Sequence, residues 1–152
     1  MSTGGILFSS EARRGYSAAP APDSQASGKA LRPLCVVIAD DDPDVVLTLS
    51  MLLQDEGHEV REVYSGRHVM GSVIDFDPDV VVLDIGLPGL SGWEVAREIR
   101  RRCGNDRPTL IGISGEYREG ADRILSQILG FNHYLVKPCA PADLLKLLVP
   151  LE

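Results

Sequence analysis

From residue 34 onward, short apolar runs alternate with segments whose apolar residues recur at helical spacing. The runs predict five β-strands, at 34–39, 58–63, 79–83, 109–113 and 133–136. The helical spacing predicts five helices, one after each strand. Asp42 and Pro43 mark the start of the first helix and Gly57 its end, while Ser91 and Glu94 form a capping box at the start of the third.

The strict alternation of strands and helices indicates a single α/β domain. Because the strands are apolar on both faces, we expect them to pair in parallel, with helices covering both sides of the sheet. The sequence therefore predicts a doubly wound five-stranded sheet with five helices. In such sheets a ligand site lies at the carboxyl ends of the strands, where the strand order reverses.

Composition separates the chain into two parts. Residues 1–33 are rich in Ser, Ala, Gly and Pro and show no apolar period, which predicts a disordered N-terminal tail ahead of a domain at 34–152. The net charge of −7 divides into +2 for the tail and −9 for the domain. A domain this acidic repels a phosphate backbone, so we expect no nucleic-acid partner.

Two further features concern the cellular compartment. No apolar run approaches the roughly 18 residues that a membrane span needs, so no membrane partner is expected. The three cysteines are widely spaced and form no CxxC pair, which fits the reducing cytoplasm.

Polar residues follow four of the five predicted strands. Asp40 and Asp41 follow the first strand, Asp84 the third, Ser114 the fourth and Lys137 the fifth. At ~4 Å and an effective dielectric near 20, each pair of carboxylates repels by about 4 kcal/mol, so the cluster needs raised pKa values or a bound cation. Hard oxygen ligands favour Mg²⁺. A carboxylate beside a metal, a lysine and a hydroxyl can accept a phosphoryl group.

Four segments occur in a characteristic order: ADDDPDV, VVVLDIGLPGLSGWEV, GISGE and YLVKP. Their order and spacing over residues 34–149 resemble the receiver domain of two-component response regulators, of the chemotaxis-regulator-like single-domain type. The resemblance implies a flavodoxin-like sheet with strand order 2-1-3-4-5. It also implies a signalling protein rather than an enzyme, which accepts a phosphoryl group from a phosphohistidine and assists its own phosphorylation and dephosphorylation.

The resemblance assigns the acceptor and the metal ligands by position. Asp84 is implied to be the phosphoacceptor, and Asp40 and Asp41 the acidic pair that holds Mg²⁺. Asp84 itself and the backbone carbonyl of Gly86 are implied to complete the protein's share of the metal ligands.

A second set of residues is implied to bind the phosphoryl group and to switch. Ser114, with Gly115 beside it, is implied to supply a hydroxyl that moves to the phosphoryl group, and Tyr134 the aromatic side chain that swings inward behind it. Lys137 is implied to pair with the phosphoryl group, and its peptide bond to Pro138 to be cis.

The partners follow from the same resemblance. A sensor histidine kinase or a histidine phosphotransfer protein is expected to dock near residues 43–46. A downstream protein is expected to contact the face formed by the fourth helix, the fifth strand and the last helix, and a homodimer on phosphorylation is left open. Because no residue follows Glu152, we expect the signal to leave by protein contact.

Three other functions fit the sequence less well. A phosphorylation-independent receiver-fold scaffold usually lacks one of the acidic pair, the acceptor or the lysine, and this chain has all of them. A phosphatase with an Asp nucleophile typically has a second Asp where Gly86 stands. A hydrolase built on Ser114 needs a glycine where Glu116 stands.

The remaining residues of chemical interest receive simpler interpretations. Trp93 is expected to pack rather than to recognise a partner, and to report optically on the site. The histidines share no metal-ligand spacing and are predicted to be surface or turn residues: His58, His68 and His133.

Overall fold

A computed structural model describes residues 32–115, 124 and 127–148 of the chain. Its strands are β1 (Cys35–Ala39), β2 (Glu59–Val63), β3 (Val80–Asp84), β4 (Thr109–Ser114) and β5 (His133–Val136). Its helices are α1 (Pro43–Asp55), α2 (Val69–Phe76), α3 (Gly92–Cys103) and α4 (Pro141–Leu148), with a short 3-10 helix at Gly66–His68. The predicted tail at 1–33 and the helix predicted between β4 and β5 lie largely outside the described residues.

The five strands form one parallel sheet in the order β2-β1-β3-β4-β5. This confirms the predicted doubly wound fold and its strand order. Side chains alternate along β1, so that Val37 packs with α2 and α3 on one face, whereas Val36 packs with α1 and α4 on the other. Each face therefore has its own hydrophobic core.

The strands differ in burial according to their place in the sheet. All five residues of β3 are buried, as expected for a central strand. At the edge, β2 exposes Glu59 and Glu62, and every residue of β5 is partly or fully exposed. Even so, each edge strand contributes to both cores, since Val63 and Tyr134 pack on the α2–α3 face, whereas Val60 and Leu135 pack on the α1–α4 face.

The residues predicted to begin helices form the expected capping hydrogen bonds. The side chain of Asp42 accepts a hydrogen bond from the Asp44 N–H at 3.0 Å, directly ahead of α1. At the start of α3, Ser91 and Glu94 exchange the two hydrogen bonds of a capping box, at 3.1 and 3.3 Å. In the described part of the chain, no helix is long and apolar enough to cross a membrane.

The amino ends of the central strands are fixed by side chains. Asp79 accepts the Cys35 N–H at 2.9 Å, and Arg107 donates to the carbonyl of Pro78 at 3.1 Å. His58 is half-buried, and its Nδ1 accepts the N–H of Leu34 at 3.0 Å, so it is a structural residue rather than a simple surface residue. These contacts secure the edge of the sheet opposite the strand ends where the polar residues lie.

Candidate functional site

The sheet brings four predicted site residues to one edge. Asp40 directly follows β1, Asp84 ends β3, Ser114 ends β4, and Lys137 directly follows β5. Parallel pairing in register places these strand ends side by side. Residues separated by almost a hundred positions therefore form one polar cluster at the carboxyl edge, the position that doubly wound sheets use for ligands.

Three carboxylates meet in this cluster. Asp40, Asp41 and Asp84 each offer an oxygen atom, and these atoms lie within 4.8 Å of one another. Asp40 and Asp84 are 2% and 6% exposed, whereas Asp41 is open to solvent. Burial, together with the charges of Asp40 and Asp41, raises the pKa of Asp84, although a hydrogen bond from the Gly86 N–H opposes that shift. Such a set of oxygen donors fits a divalent cation of the Mg²⁺ type.

Both oxygen atoms of Asp40 are held in place. Its Oδ1 accepts the backbone N–H of Asp42 at 3.0 Å, and its Oδ2 lies 2.9 Å from the Nζ of Lys137. Asp42 therefore makes two structural hydrogen bonds, because its side chain caps α1 and its backbone N–H orients Asp40. The carboxylate of Asp40 is fixed before any ligand arrives.

Lys137 supplies the positive charge of the site. Its Nζ lies 3.6 Å from Asp84 Oδ2, in addition to its contact with Asp40. Partial burial disfavours the ammonium form, but the hydrogen bond and charge of Asp40 and the charge of Asp84 outweigh it and raise the pKa of Lys137. One ammonium cannot balance the charge that three carboxylates can carry, and a bound cation would supply the remainder.

The backbone around Lys137 is also defined. Its N–H donates to the carbonyl of Ser114 at 2.8 Å, and its peptide bond to Pro138 is cis. Ser114 is 8% exposed, whereas Gly115 is exposed, and within the described residues no atom beyond its chain neighbours lies within 4 Å of its Cβ position. Ser114 therefore ends β4 directly beside the backbone of Lys137.

Two other predicted site residues occupy well-defined positions. The backbone N–H of Gly86 donates to Asp84 Oδ1 at 3.1 Å, which fixes the carboxylate of Asp84 at the start of the loop after β3. Tyr134 lies within β5, its ring packs against the core on the α2–α3 face, and its hydroxyl oxygen is buried. The structure therefore shows Tyr134 in an inward position.

Two contacts near the site were not predicted from the sequence. A Cβ on Gly92 would lie 2.6 Å from Ile85 Cα and 2.7 Å from the carbonyl oxygen of Asp84, so α3 starts directly against the backbone of β3's last residue. The next residue, Trp93, stacks on Tyr134. The glycine at the first helical position was the only available signal for the close approach, and nothing local identified the partner of Trp93.

The family is established by comparison with known proteins. Residues 36–149 match the model of the response regulator receiver domain. This chain belongs to that family. The receiver domain is CheY-like and is consistent with two-component signalling, as the sequence motifs indicate.

Solved structures agree with this assignment. The chemotaxis response regulator CheY4 of Vibrio cholerae is 25% identical, with a TM-score of 0.72, over 80% of this chain and 100% of that one. The BeF3-activated N-terminal receiver domain of Klebsiella pneumoniae RstA is 27% identical, with a TM-score of 0.69, over 75% of this chain and 94% of that one. NtrX of Brucella abortus is 25% identical, with a TM-score of 0.67, over 76% of this chain and 26% of that one.

Proposed function

We propose that this chain is a single-domain response regulator that accepts a phosphoryl group on Asp84 in a Mg²⁺-dependent reaction. The donor is a phosphohistidine on a sensor histidine kinase or a histidine phosphotransfer protein. The observation that carries this proposal is the placement of Asp84, which is buried beside two further carboxylates and within 3.6 Å of Lys137. Family membership supports the same chemistry.

The transfer moves a phosphoryl group between two protein side chains. A carboxylate oxygen of Asp84 forms the new P–O bond, while the P–N bond of the phosphohistidine breaks and its electron pair stays on the imidazole nitrogen. The carboxylate form of Asp84 is the nucleophile, so protonation of Asp84 at acid pH would stop the transfer. Lys137 is held charged by its acidic neighbours and lies where it would contact an oxygen of the transferred group.

The metal ligands follow from the carboxylate cluster. Asp40, Asp41 and Asp84, together with the backbone carbonyl of Gly86, would hold Mg²⁺. When bound, the ion neutralises negative charge and orients a phosphoryl oxygen. The hydrogen bond from the Asp42 N–H and the contact with Lys137 hold the Asp40 carboxylate toward the cluster. The Asp40 side chain therefore loses less conformational entropy when a metal ion binds.

Asp84 is itself the acceptor and carries the phosphoryl group after each transfer, so we classify the chain as a signalling protein and not as an enzyme. We propose that its own side chains position the reaction and the later hydrolysis of the acyl phosphate. Ser114 and Tyr134 would then respond to the phosphoryl group and change the face that includes β5 and α4, where a downstream protein binds. Val136, which is 43% exposed, lies on β5 of that face.

The direct test is the intact mass of the protein after treatment with acetyl phosphate, with and without Mg²⁺. We expect a gain of one phosphoryl group that requires Mg²⁺ and is absent in Asp84→Asn. Asp75→Asn, which changes an exposed aspartate on α2, is the matched control and should be labelled like the wild type. No gain in a folded protein that binds Mg²⁺ would favour the phosphorylation-independent scaffold instead.

A further inference from the structure

We propose that Trp93 is the positioning residue for Tyr134. The indole of Trp93 provides a flat surface that holds the Tyr134 ring inward. It thereby sets the ratio of the inward to the outward position of that ring. The inference rests on the proposed function, because it assumes that Tyr134 moves in response to the phosphoryl group on Asp84.

The three aromatic rings behind the site form one cluster. Trp93 and Tyr134 are stacked, with ring centroids 6.1 Å apart and an angle of 10° between their planes. Trp93 also meets Phe131 edge to face, at 5.8 Å and 86°. Both arrangements are favoured by the charge distribution of aromatic rings, and each pair adds stabilisation beyond the burial of its surface.

Space for the cluster comes from a glycine in β4. Gly112 lies opposite Tyr134 in the β4–β5 register. A Cβ on Gly112 would lie 3.1 Å from Tyr134 Cδ1 and 3.0 Å from Phe131 Cε1, which is closer than ordinary van der Waals contact. A glycine inside a strand weakens it and commonly marks a close approach, so this position accommodates the two inward rings.

Trp93 is linked to the phosphoacceptor through the backbone. It is the second residue of α3, and the residue before it, Gly92, packs against Asp84 and donates its N–H to the carbonyl of Ile85 at 2.9 Å. The capping box at Ser91 further fixes this first helical turn. The stacking surface for Tyr134 is therefore anchored at the element that follows the phosphoacceptor.

Tyr134 is linked to the other side of the site. It lies three residues before Lys137, whose ammonium contacts Asp40 and Asp84. The Trp93–Tyr134 stack thus joins the α3 side and the β5 side of the site from within the core. Removing the indole should shift the inward-to-outward ratio of Tyr134 toward the outward position by a factor of roughly 2 to 10, the range that one aromatic pair supports.

The test observes Tyr134 directly by ¹⁹F NMR of protein labelled with 3-fluorotyrosine. The chain has four tyrosines, so the Tyr134→Phe variant assigns the signal. In the unphosphorylated wild type, we expect a resonance with little shift between H₂O and D₂O. In Trp93→Leu the resonance should acquire a larger solvent isotope shift than in the wild type, in proportion to the outward population, whereas Trp93→Phe, which keeps an aromatic ring, should lie closer to the wild type.

A reciprocal measurement covers the case in which Trp93→Leu does not fold. Trp93 is the only tryptophan of the chain, so its fluorescence is unambiguous. Tyr134→Leu should make Trp93 more accessible to iodide quenching by roughly 2-fold or more, while Tyr64→Leu, at an exposed tyrosine, should leave quenching unchanged. An unchanged Tyr134 resonance in folded Trp93→Leu, or equal quenching in Tyr134→Leu and the wild type, would overturn the inference.

The same samples separate this inference from the proposed function. Each protein is treated with acetyl phosphate and Mg²⁺, and its intact mass is measured. If the wild type gains no phosphoryl group, the proposed function is contradicted. If the Tyr134 resonance of Trp93→Leu nevertheless shows a larger solvent isotope shift, the stacking role of Trp93 is still supported. A normal phosphoryl gain with an unchanged Tyr134 resonance contradicts the stacking role alone.

Discussion

The ammonium of Lys137 lies 2.9 Å from a carboxylate oxygen of Asp40. The two residues follow β5 and β1, which are separated in the sheet by β3 and β4. The ion pair therefore joins residues from both sides of β3, and Asp84 at the end of β3 lies 3.6 Å from the same ammonium. The two flanks of the proposed acceptor are tied together by one charged contact.

Replacing Lys137 with Met should destabilise the metal-free domain. The change leaves the buried carboxylate of Asp40 without its cation, and breaking a buried pair costs about 3–5 kcal/mol. Because the Lys137 side chain is 28% exposed, we expect a smaller loss of unfolding free energy, about 1–3 kcal/mol in urea with EDTA at pH 7.5. Mg²⁺ should restore part of it, since the cation replaces the lost charge.

Lys146→Met is the matched control for this variant. The Lys146 ammonium lies 3.9 Å from Asp143 on the surface of α4, where ion pairs contribute little. Its stability should stay close to that of the wild type. Equal losses in the two variants would contradict a special role for the Lys137 pair.

Asp84→Asn should stabilise the metal-free domain at neutral pH. Burial and neighbouring carboxylates raise the pKa of Asp84 in the folded state, so the folded state binds this proton more tightly than the unfolded chain. The free energy of unfolding of the wild type therefore falls as pH rises through the raised pKa, and Asn removes that loss. We expect a higher Tm for the variant at pH 7.5 in EDTA, with the difference shrinking toward pH 4.

Magnesium should reverse the order of these two proteins. The wild type should gain Tm with added Mg²⁺ because the ion binds the folded state, whereas Asp84→Asn should gain little. Asp75→Asn should follow the wild type in both conditions. A variant that is no more stable than the wild type in EDTA would argue against electrostatic strain at Asp84.

Two glycine-to-alanine changes should have opposite effects. At Gly92 a Cβ would lie 2.6 Å from Ile85 Cα and 2.7 Å from the carbonyl of Asp84, so we expect a loss of about 1–3 kcal/mol from overpacking. Gly71 lies inside α2, and among the described residues no atom outside its own helical backbone and chain neighbours lies within 4 Å of its Cβ position, so alanine there should add about 0.5–1 kcal/mol. Urea denaturation of both variants checks the pair, and a neutral Gly92→Ala would refute the close approach of α3.

His58 should make the domain less stable below neutral pH. Burial lowers its pKa, and its Nδ1 accepts the Leu34 N–H, which requires that nitrogen to be unprotonated. The unfolded chain therefore takes up this proton first as the pH falls through about 6.5, and the free energy of unfolding decreases. Urea denaturation at pH 7.5 and 5.5 should show a smaller decrease in His58→Gln than in the wild type. His68→Gln, at an exposed histidine, should behave like the wild type.

Much of the fold could be predicted because local patterns and burial agree. Uninterrupted apolar runs such as that of β3 belong in the middle of a parallel sheet, and Asp42 and Ser91 mark helix starts through hydrogen bonds within their own turn. The edge strands were less predictable. The exposure of β2 and β5 follows from their places at the two edges of the sheet, which depend on the order of all five strands rather than on the sequence of either strand.

The residues that form the site could be predicted because they directly follow the strands. The contacts between those residues could not be predicted. That Lys137 would lie nearer to Asp40 than to Asp84 depends on the positions of both strands. The stack of Trp93 on Tyr134 joins residues 41 positions apart and depends on the space above Gly112. The role of His58 likewise required the register of β1 and β2, since the histidine itself carries no local signal of burial.

The central claim is that Asp84 carries the phosphoryl group, and chemical mapping tests it most directly. Borohydride reduces an aspartyl phosphate to homoserine, which stays in the chain and is located by peptide mass spectrometry. After treatment with acetyl phosphate and Mg²⁺, we predict homoserine at position 84 and not at position 40 or 41. Homoserine at another aspartate, or a labelled protein with no homoserine at all, would contradict the account.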